Sequence, residues 1–116
     1  MTRDLSVYLE DILTSLLKIE EYTGGISEED FSVNSQIQDA VLRRLEVTGE
    51  AAKHIPEDFR RQYPEIPWKK IAGLRDVLIH EYFGVNLRRV WRLVQNDIGK
   101  LKRQIEQVKK SMKAPI

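Results

Sequence analysis

Apolar residues recur at alternating steps of three and four along almost every stretch of this 116-residue chain, and that spacing confines it to helices. Residues 4 to 22 place Leu5, Leu9, Ile12, Leu16 and Ile19 on one face and charged side chains elsewhere, which predicts an amphipathic helix. Asp4 suits the start of its dipole, and Gly24-Gly25 ends it. Ser27 to Phe31, with Asp30 three residues after Ser27, predicts one capped turn before Asn34 or Ser35 opens a second long helix. That helix runs to about His54 and buries Ile37, Val41, Leu45, Thr48, Ala52 and Ile55, while small residues at Gly49, Ala51 and Ala52 let another helix approach closely. Pro56 restarts a short helical piece through Arg61, and Pro64 and Pro67 hold an extended link.

A further helix starts at Trp68, packs through Ile71, Leu74, Leu78 and Ile79, and is broken by Gly84. Asn86 then caps a last helix whose apolar stripe runs from Leu87 through Val90, Val94, Ile98, Leu101, Ile105 and Val108 to Met112. The first half of that helix is expected in the bundle, and the second half is expected to project beyond it, held by a second subunit or frayed. No segment requires a strand. The spacing therefore predicts an all-α, up-and-down bundle of four main helices plus short helical turns, in one domain over residues 1–116.

Composition narrows the chemistry. With no cysteine, the chain has no disulfide, zinc-thiolate site or cysteine nucleophile, which suits a reducing cytosol. Its two histidines, His54 and His80, have no metal-ligand spacing, so neither a protein-built metal site nor a cofactor is expected. No glycine-rich phosphate loop, signal peptide or bilayer-spanning apolar run is present, and the expectation is a soluble, cytoplasmic protein with no membrane partner. Net charge is only +1 but is unevenly spread: residues 1–35 hold two basic and eight acidic side chains, residues 36–86 eight of each, and residues 87–116 nine basic and two acidic. The basic end could meet RNA, an acidic protein surface, or only solvent.

Residues 68 to 86, WKKIAGLRDVLIHEYFGVN, concentrate the versatile side chains. Asp76 and His80 are i,i+4 neighbours on a helix, so the carboxylate can hold one imidazole nitrogen and leave the other free to move a proton. Arg75 and Tyr82, seven apart, share another face suited to an anion. Arg75 and His80 diverge by about 140° and cannot easily converge on one small group; two paired chains could solve this, with Arg75 of one and His80 of the other lining one cleft. The same residues also read as packing and capping groups, with His54 and Tyr82 structural; spacing alone leaves both readings open.

Arg75, four residues, His80, one residue, Tyr82 resembles the R-x4-H-x-Y signature of HepT-like toxins, members of the HEPN superfamily of small helical RNases. RRLEVTGEAAKHIP at 43–56 and PEIPWKKIAGLRDVLIHEYFGVN at 64–86 resemble that family in the same order, and the likeness covers most of residues 34 to 95. One departure is Asp76, where such motifs often carry asparagine: it can still orient His80, but its charge lies nearer any bound phosphate. The resemblance implies a HEPN-like, dimeric bundle acting as a metal-independent endoribonuclease. In that role Arg75 and His80 are catalytic, Asp76 orients His80, and RNA supplies its own 2′-hydroxyl nucleophile. It also implies an MntA-like nucleotidyltransferase antitoxin that silences the toxin by AMPylation of Tyr82. The alternatives are a non-catalytic HEPN module that binds nucleotide or a partner through the same cleft, and, with no helix-turn-helix spacing to support it, a DNA-binding protein using the basic last helix.

Overall fold

The apolar stripes become helices where their spacing says they should. The computed structural model describes the backbone of residues 4–80 and 86–113 and the side chains of 4–74 and 86–112. Among the described residues there are seven helices and no strand: α1 (Leu5–Thr23), α2 (Glu28–Val33), α3 (Ser35–Lys53), α4 (Glu57–Gln62), α5 (Trp68–His80), α6 (Leu87–Asn96) and α7 (Ile98–Lys113). No helix among them is long and apolar enough to cross a membrane.

Local chemistry sets the ends. The Asp4 carboxylate accepts from the Ser6 N–H at 2.9 Å and opens α1. Gly25, at φ 80°, turns the chain out of α1 in the left-handed region that glycine alone adopts without a Cβ penalty. Ser27 and Asp30 form the expected capping box, each side chain accepting from the other's backbone N–H at 3.1 and 3.0 Å. Asn34 and Asn86 cap α3 and α6 through the N–H groups of Ile37 and Arg89. The expectation that α5 reaches Gly84 lies, beyond His80, outside the described residues.

α3 is the middle of the bundle, packed by α1 on one side and α5 on another. Its core stripe of Val41, Leu45, Thr48 and Ala52 is buried, as are Gly49 and Ala51. α7 lies along α1, whose Leu9, Ile12, Leu16 and Ile19 are fully buried. α1 and α7 run antiparallel: Lys102 meets Glu20 at 2.8 Å and Lys109 pairs with Glu10, so partners descend α1 as they ascend α7. Two of the nine basic residues at the end of the chain thus find acidic partners on its own first helix. Hydrogen bonding to Glu20 raises the Lys102 ammonium above its usual range. A raised folded-state pKa means the tie is present at neutral pH and is lost only as pH climbs past the ordinary lysine value.

Two expectations for the last helix are corrected. It is two helices, interrupted at Asp97, because its halves serve different neighbours: α6 packs on α2, with Trp91 and Phe31 ring centroids 5.3 Å apart, while α7 follows α1. The interruption is slight, since the Asp97 N–H still donates to Leu93 O and its carbonyl accepts from Leu101. Nor does the second half project: Leu101, Ile105 and Val108 are buried.

Two substitutions separate packing from polarity in this core. Phe31→Ala removes the anchor between α2 and α6 and is expected to cost about 3–5 kcal/mol. The fully buried Ser15 hydroxyl has no hydrogen-bond partner among the described residues, so Ser15→Ala is expected to be neutral or to stabilise by about 1 kcal/mol. Urea unfolding followed by tryptophan fluorescence measures both; a Ser15→Ala loss comparable to that of Phe31→Ala would contradict the assignment.

Candidate active-site helix

Three of the four candidate residues ride on one helix. α5 continues through His80, so positions 75, 76 and 80 are helical. The side chains of Arg75, Asp76 and His80, and all of Tyr82, lie outside the described residues. On this backbone Asp76 and His80 are about 40° apart around the axis, whereas Arg75 and His80 are about 140° apart. The face shared by Arg75 and Tyr82 depends on the chain beyond His80 and also lies outside the described residues.

What places α5 is described in full. Trp68 is buried; its indole N–H donates to Tyr63 O at 3.0 Å and its backbone N–H to Ile66 O at 2.8 Å. Phe59 lies 5.1 Å from the Tyr63 ring and 6.3 Å from that of Trp68. Arg60 reaches back from α4 to the end of α3, its Nη2 donating to Ala52 O at 2.6 Å and its Nε to Ile55 O at 3.0 Å. Four residues after Ala52 stands Pro56, which has no N–H to continue the helical ladder, and a charged fork meets both carbonyls at once. The start of α5 is thereby tied to the end of α3, and Trp68 and Ile71 continue the contact into the core.

His54 ends α3 and stacks on Tyr8 of α1, ring centroids 4.8 Å apart and planes 9° apart. Its Nε2 lies 3.6 Å from Glu50 Oε1, both side chains half exposed. These contacts place His54 at the junction of α1 and α3. Glu50 accordingly faces a cavity of about 390 Å³ between α1 and α3, lined also by Asp11, Arg43 and Glu46. Among the described residues no group of three or more His, Asp or Glu could hold a metal ion.

Sequence reasoning missed Arg60 and Tyr8. An arginine eight residues after the carbonyl it caps, with a proline between, carries only the faint signal of a cation near a helix end. The stacking of Tyr8 on His54 joins two helices far apart in sequence and leaves no periodic trace.

Compared with known proteins, residues 12–108 match the family described as "Ribonuclease HepT-like". "Probable ribonuclease HepT" of Thermococcus cleftensis is 49% identical over 110 residues, 95% of this chain and 100% of that protein. "Putative RNase MJ1380" of Methanocaldococcus jannaschii is 42% identical over 104 residues, 90% of this chain and 95% of its own length. The same organism's "Gamma-glutamylcyclotransferase and putative RNase MJ0434" is 50% identical over 105 residues, 90% of this chain; the chain spans about half, 47%, of that longer protein. No solved structure matches.

Arg60→Ala should deprive two helix-end carbonyls of their charged donor and lower stability by about 2 kcal/mol, measured by urea unfolding. Arg60→Lys should recover little of this, because a single ammonium replaces a planar fork reaching two oxygens. Equal stability of Arg60→Lys and the parent would show that charge alone, not the fork, closes α3.

Proposed function

Because the chain belongs to the ribonuclease HepT-like family, we propose that it is the single-domain, cytoplasmic toxin of a toxin–antitoxin pair: a metal-independent endoribonuclease whose active cleft forms between two copies of the chain and is silenced by AMPylation of Tyr82. The observation that carries this reading is the family match over residues 12–108, which contains the whole Arg75-x4-His80-x-Tyr82 motif. The continuous helical backbone from Trp68 to His80 supports it, because the division of labour among Arg75, Asp76 and His80 needs helical register.

RNA carries its own nucleophile, so the protein's task is proton transfer and charge stabilisation. His80, with a reference pKa of about 6.5 for its residue type, takes the 2′-hydroxyl proton or returns one to the leaving oxygen. Arg75 binds the scissile phosphate and stabilises the charge that grows on it. Asp76, one turn before His80, holds the imidazole in one tautomer. The divergence of Arg75 and His80 on one helix supports a cleft in which a second copy supplies the complementary residue. The donor set favours a metal-free route, with no cysteine and two histidines far apart in sequence.

Silencing follows from the same chemistry. A nucleotidyltransferase partner of the MntA-like type transfers AMP to the Tyr82 hydroxyl: the tyrosyl oxygen attacks the α-phosphorus of ATP, pyrophosphate leaves, and the phenolic proton is released. The product brings bulk and a phosphate anion into the motif that would otherwise meet RNA.

Purified protein is expected to cleave single-stranded RNA in excess EDTA, with Arg75→Ala and His80→Ala each at least ~100-fold slower. Mixing the two inactive variants should restore part of the activity, since one cleft of a mixed dimer regains both residues. Cleavage abolished by EDTA and restored by a divalent ion would sink the metal-free route, and an active monomer in light scattering would refute the shared cleft.

Co-expression with the transferase should add the mass of one or more AMP units to the wild type and stop RNA cleavage, while an active Tyr82→Phe variant stays unmodified and uncontrolled. Equal silencing of Tyr82→Phe without added mass would assign control to another route.

A further inference from the structure

α5 begins with an arrangement that helix stability does not explain. Its first turn carries no acidic residue and two lysines, Lys69 and Lys70, although cations are disfavoured at the positive end of a helix dipole. Both are exposed, and neither forms an ion pair among the described residues. They line a broad groove of about 1000 Å³ with Arg60 and Arg61 of α4, Pro64 and the rim of Trp68. Arg60 is committed to the carbonyls ending α3. Arg61 is not committed in this way: its nearest partner is Glu57 at 3.9 Å, and both side chains are largely exposed. Among the described residues Glu57 is the one acidic residue lining the groove beside Arg61, Lys69 and Lys70, although Lys70 also lines a second cavity with Glu65 and Asp97.

Register links this groove to the candidate site. Lys69 and His80 are about eleven positions apart, which brings them back to within about 20° on the helix, and Asp76 lies about 20° to the other side. Lys69, Asp76 and His80 therefore occupy one stripe, about 16 Å long from end to end. Gly73 lies on the same stripe, between them. A Cβ built on Gly73 meets nothing within 4 Å, so alanine, the better helix former, would fit there. A helix-weakening residue with open space where a Cβ would stand, one turn after two exposed lysines, is what a polyanion lying close against the backbone would require.

We propose that this groove and stripe are the track for the substrate strand: Arg61, Lys69 and Lys70 hold successive phosphates of single-stranded RNA, and the strand passes over Gly73 toward the scissile position near His80. The inference rests on the ribonuclease reading and extends it, since it assigns substrate positioning to residues outside the R-x4-H-x-Y motif.

The test reads binding and turnover separately. In a His80→Ala background, where RNA is not cut, anisotropy of a fluorescent unstructured oligoribonucleotide is titrated at several salt concentrations. Substituting Arg61, Lys69 and Lys70 together by alanine should weaken binding and flatten the slope of log affinity against log salt by about 2, near 0.7 for each phosphate no longer neutralised. Lys69→Arg with Lys70→Arg should keep the slope. Lys110→Ala, an exposed cation on α7, should leave it unchanged. In the active protein the triple variant should raise KM about ten-fold, with kcat much less affected. Gly73→Leu, placed across the stripe, should raise KM with all three cations present.

An unchanged salt slope in the triple variant overturns the track, even if the wild type cleaves RNA and the ribonuclease reading stands. Conversely, a wild type that binds RNA with the expected slope but never cleaves it leaves the track in place and removes the enzyme. Loss of the dimer in Gly73→Leu by light scattering would give the space over Gly73 to a second copy of the chain and overturn its assignment to RNA. Unfolding midpoints of each variant are measured alongside, and Lys69→Glu with Lys70→Glu provides a second, surface-only disruption that should abolish binding without loss of fold.

Discussion

The bundle depends on burying α3 from two sides. A helix covered on one face needs a single apolar stripe, but α3 packs on both α1 and α5, and it meets this demand with small residues. Gly49, Ala51 and Ala52 are all buried within one turn, beside the larger Leu45 and Thr48. Glycine inside a helix costs up to about 1 kcal/mol relative to alanine, and close packing of neighbouring helices offsets that cost. Everything that positions the candidate site follows from this: α5 is held against α3, and the Arg60 fork and the Trp68 indole fix where it starts.

Much of this was legible in the sequence because it is local. Periods of three and four defined α1, α3 and α5, and the Ser27–Asp30 and Asn86 caps are short-range hydrogen bonds written in nearby residues. The break at Asp97 was not legible, because the apolar stripe runs through it without losing phase; only the competing pulls of Phe31 on α6 and of α1 on α7 reveal it. The burial of Ile105 and Val108 was missed for a related reason, since a stripe shows that a face seeks cover but does not name the cover. The candidate site was legible as a motif on a helix, and the helix through His80 is there. The Arg60 contacts at the end of α3 and the Tyr8–His54 stack between α1 and α3 join segments in ways that no periodicity encodes.

Charge follows the same division between local and tertiary. The acidic first third and the basic last quarter look like two binding surfaces in the sequence, but α1 and α7 lie against each other and two of the tail's lysines meet Glu20 and Glu10. Both pairs are partly exposed, so they register the helices more than they stabilise them. Two of the tail's nine basic side chains are therefore accounted for by pairing within the fold.

This pairing changes which charges an incoming polyanion meets. Screening confines surface electrostatics to about 8 Å at physiological salt, so a phosphate responds to the cations beside it and not to a net charge of +1 for the chain. Lys102 and Lys109 are paired within the fold, whereas Arg61, Lys69 and Lys70 line one groove in which Glu57 is the acidic residue among the described ones. Exposed cations thus stand beside a groove at the start of the helix that carries Arg75 and His80, as well as at Arg88, Arg89, Arg92, Lys100, Arg103 and Lys110 in the segment where basic residues are densest. A chain of nearly zero net charge can still present local clusters of cations, because its charges are unevenly spread; the α1–α7 contact pairs off Lys102 and Lys109 of the nine basic residues after position 86.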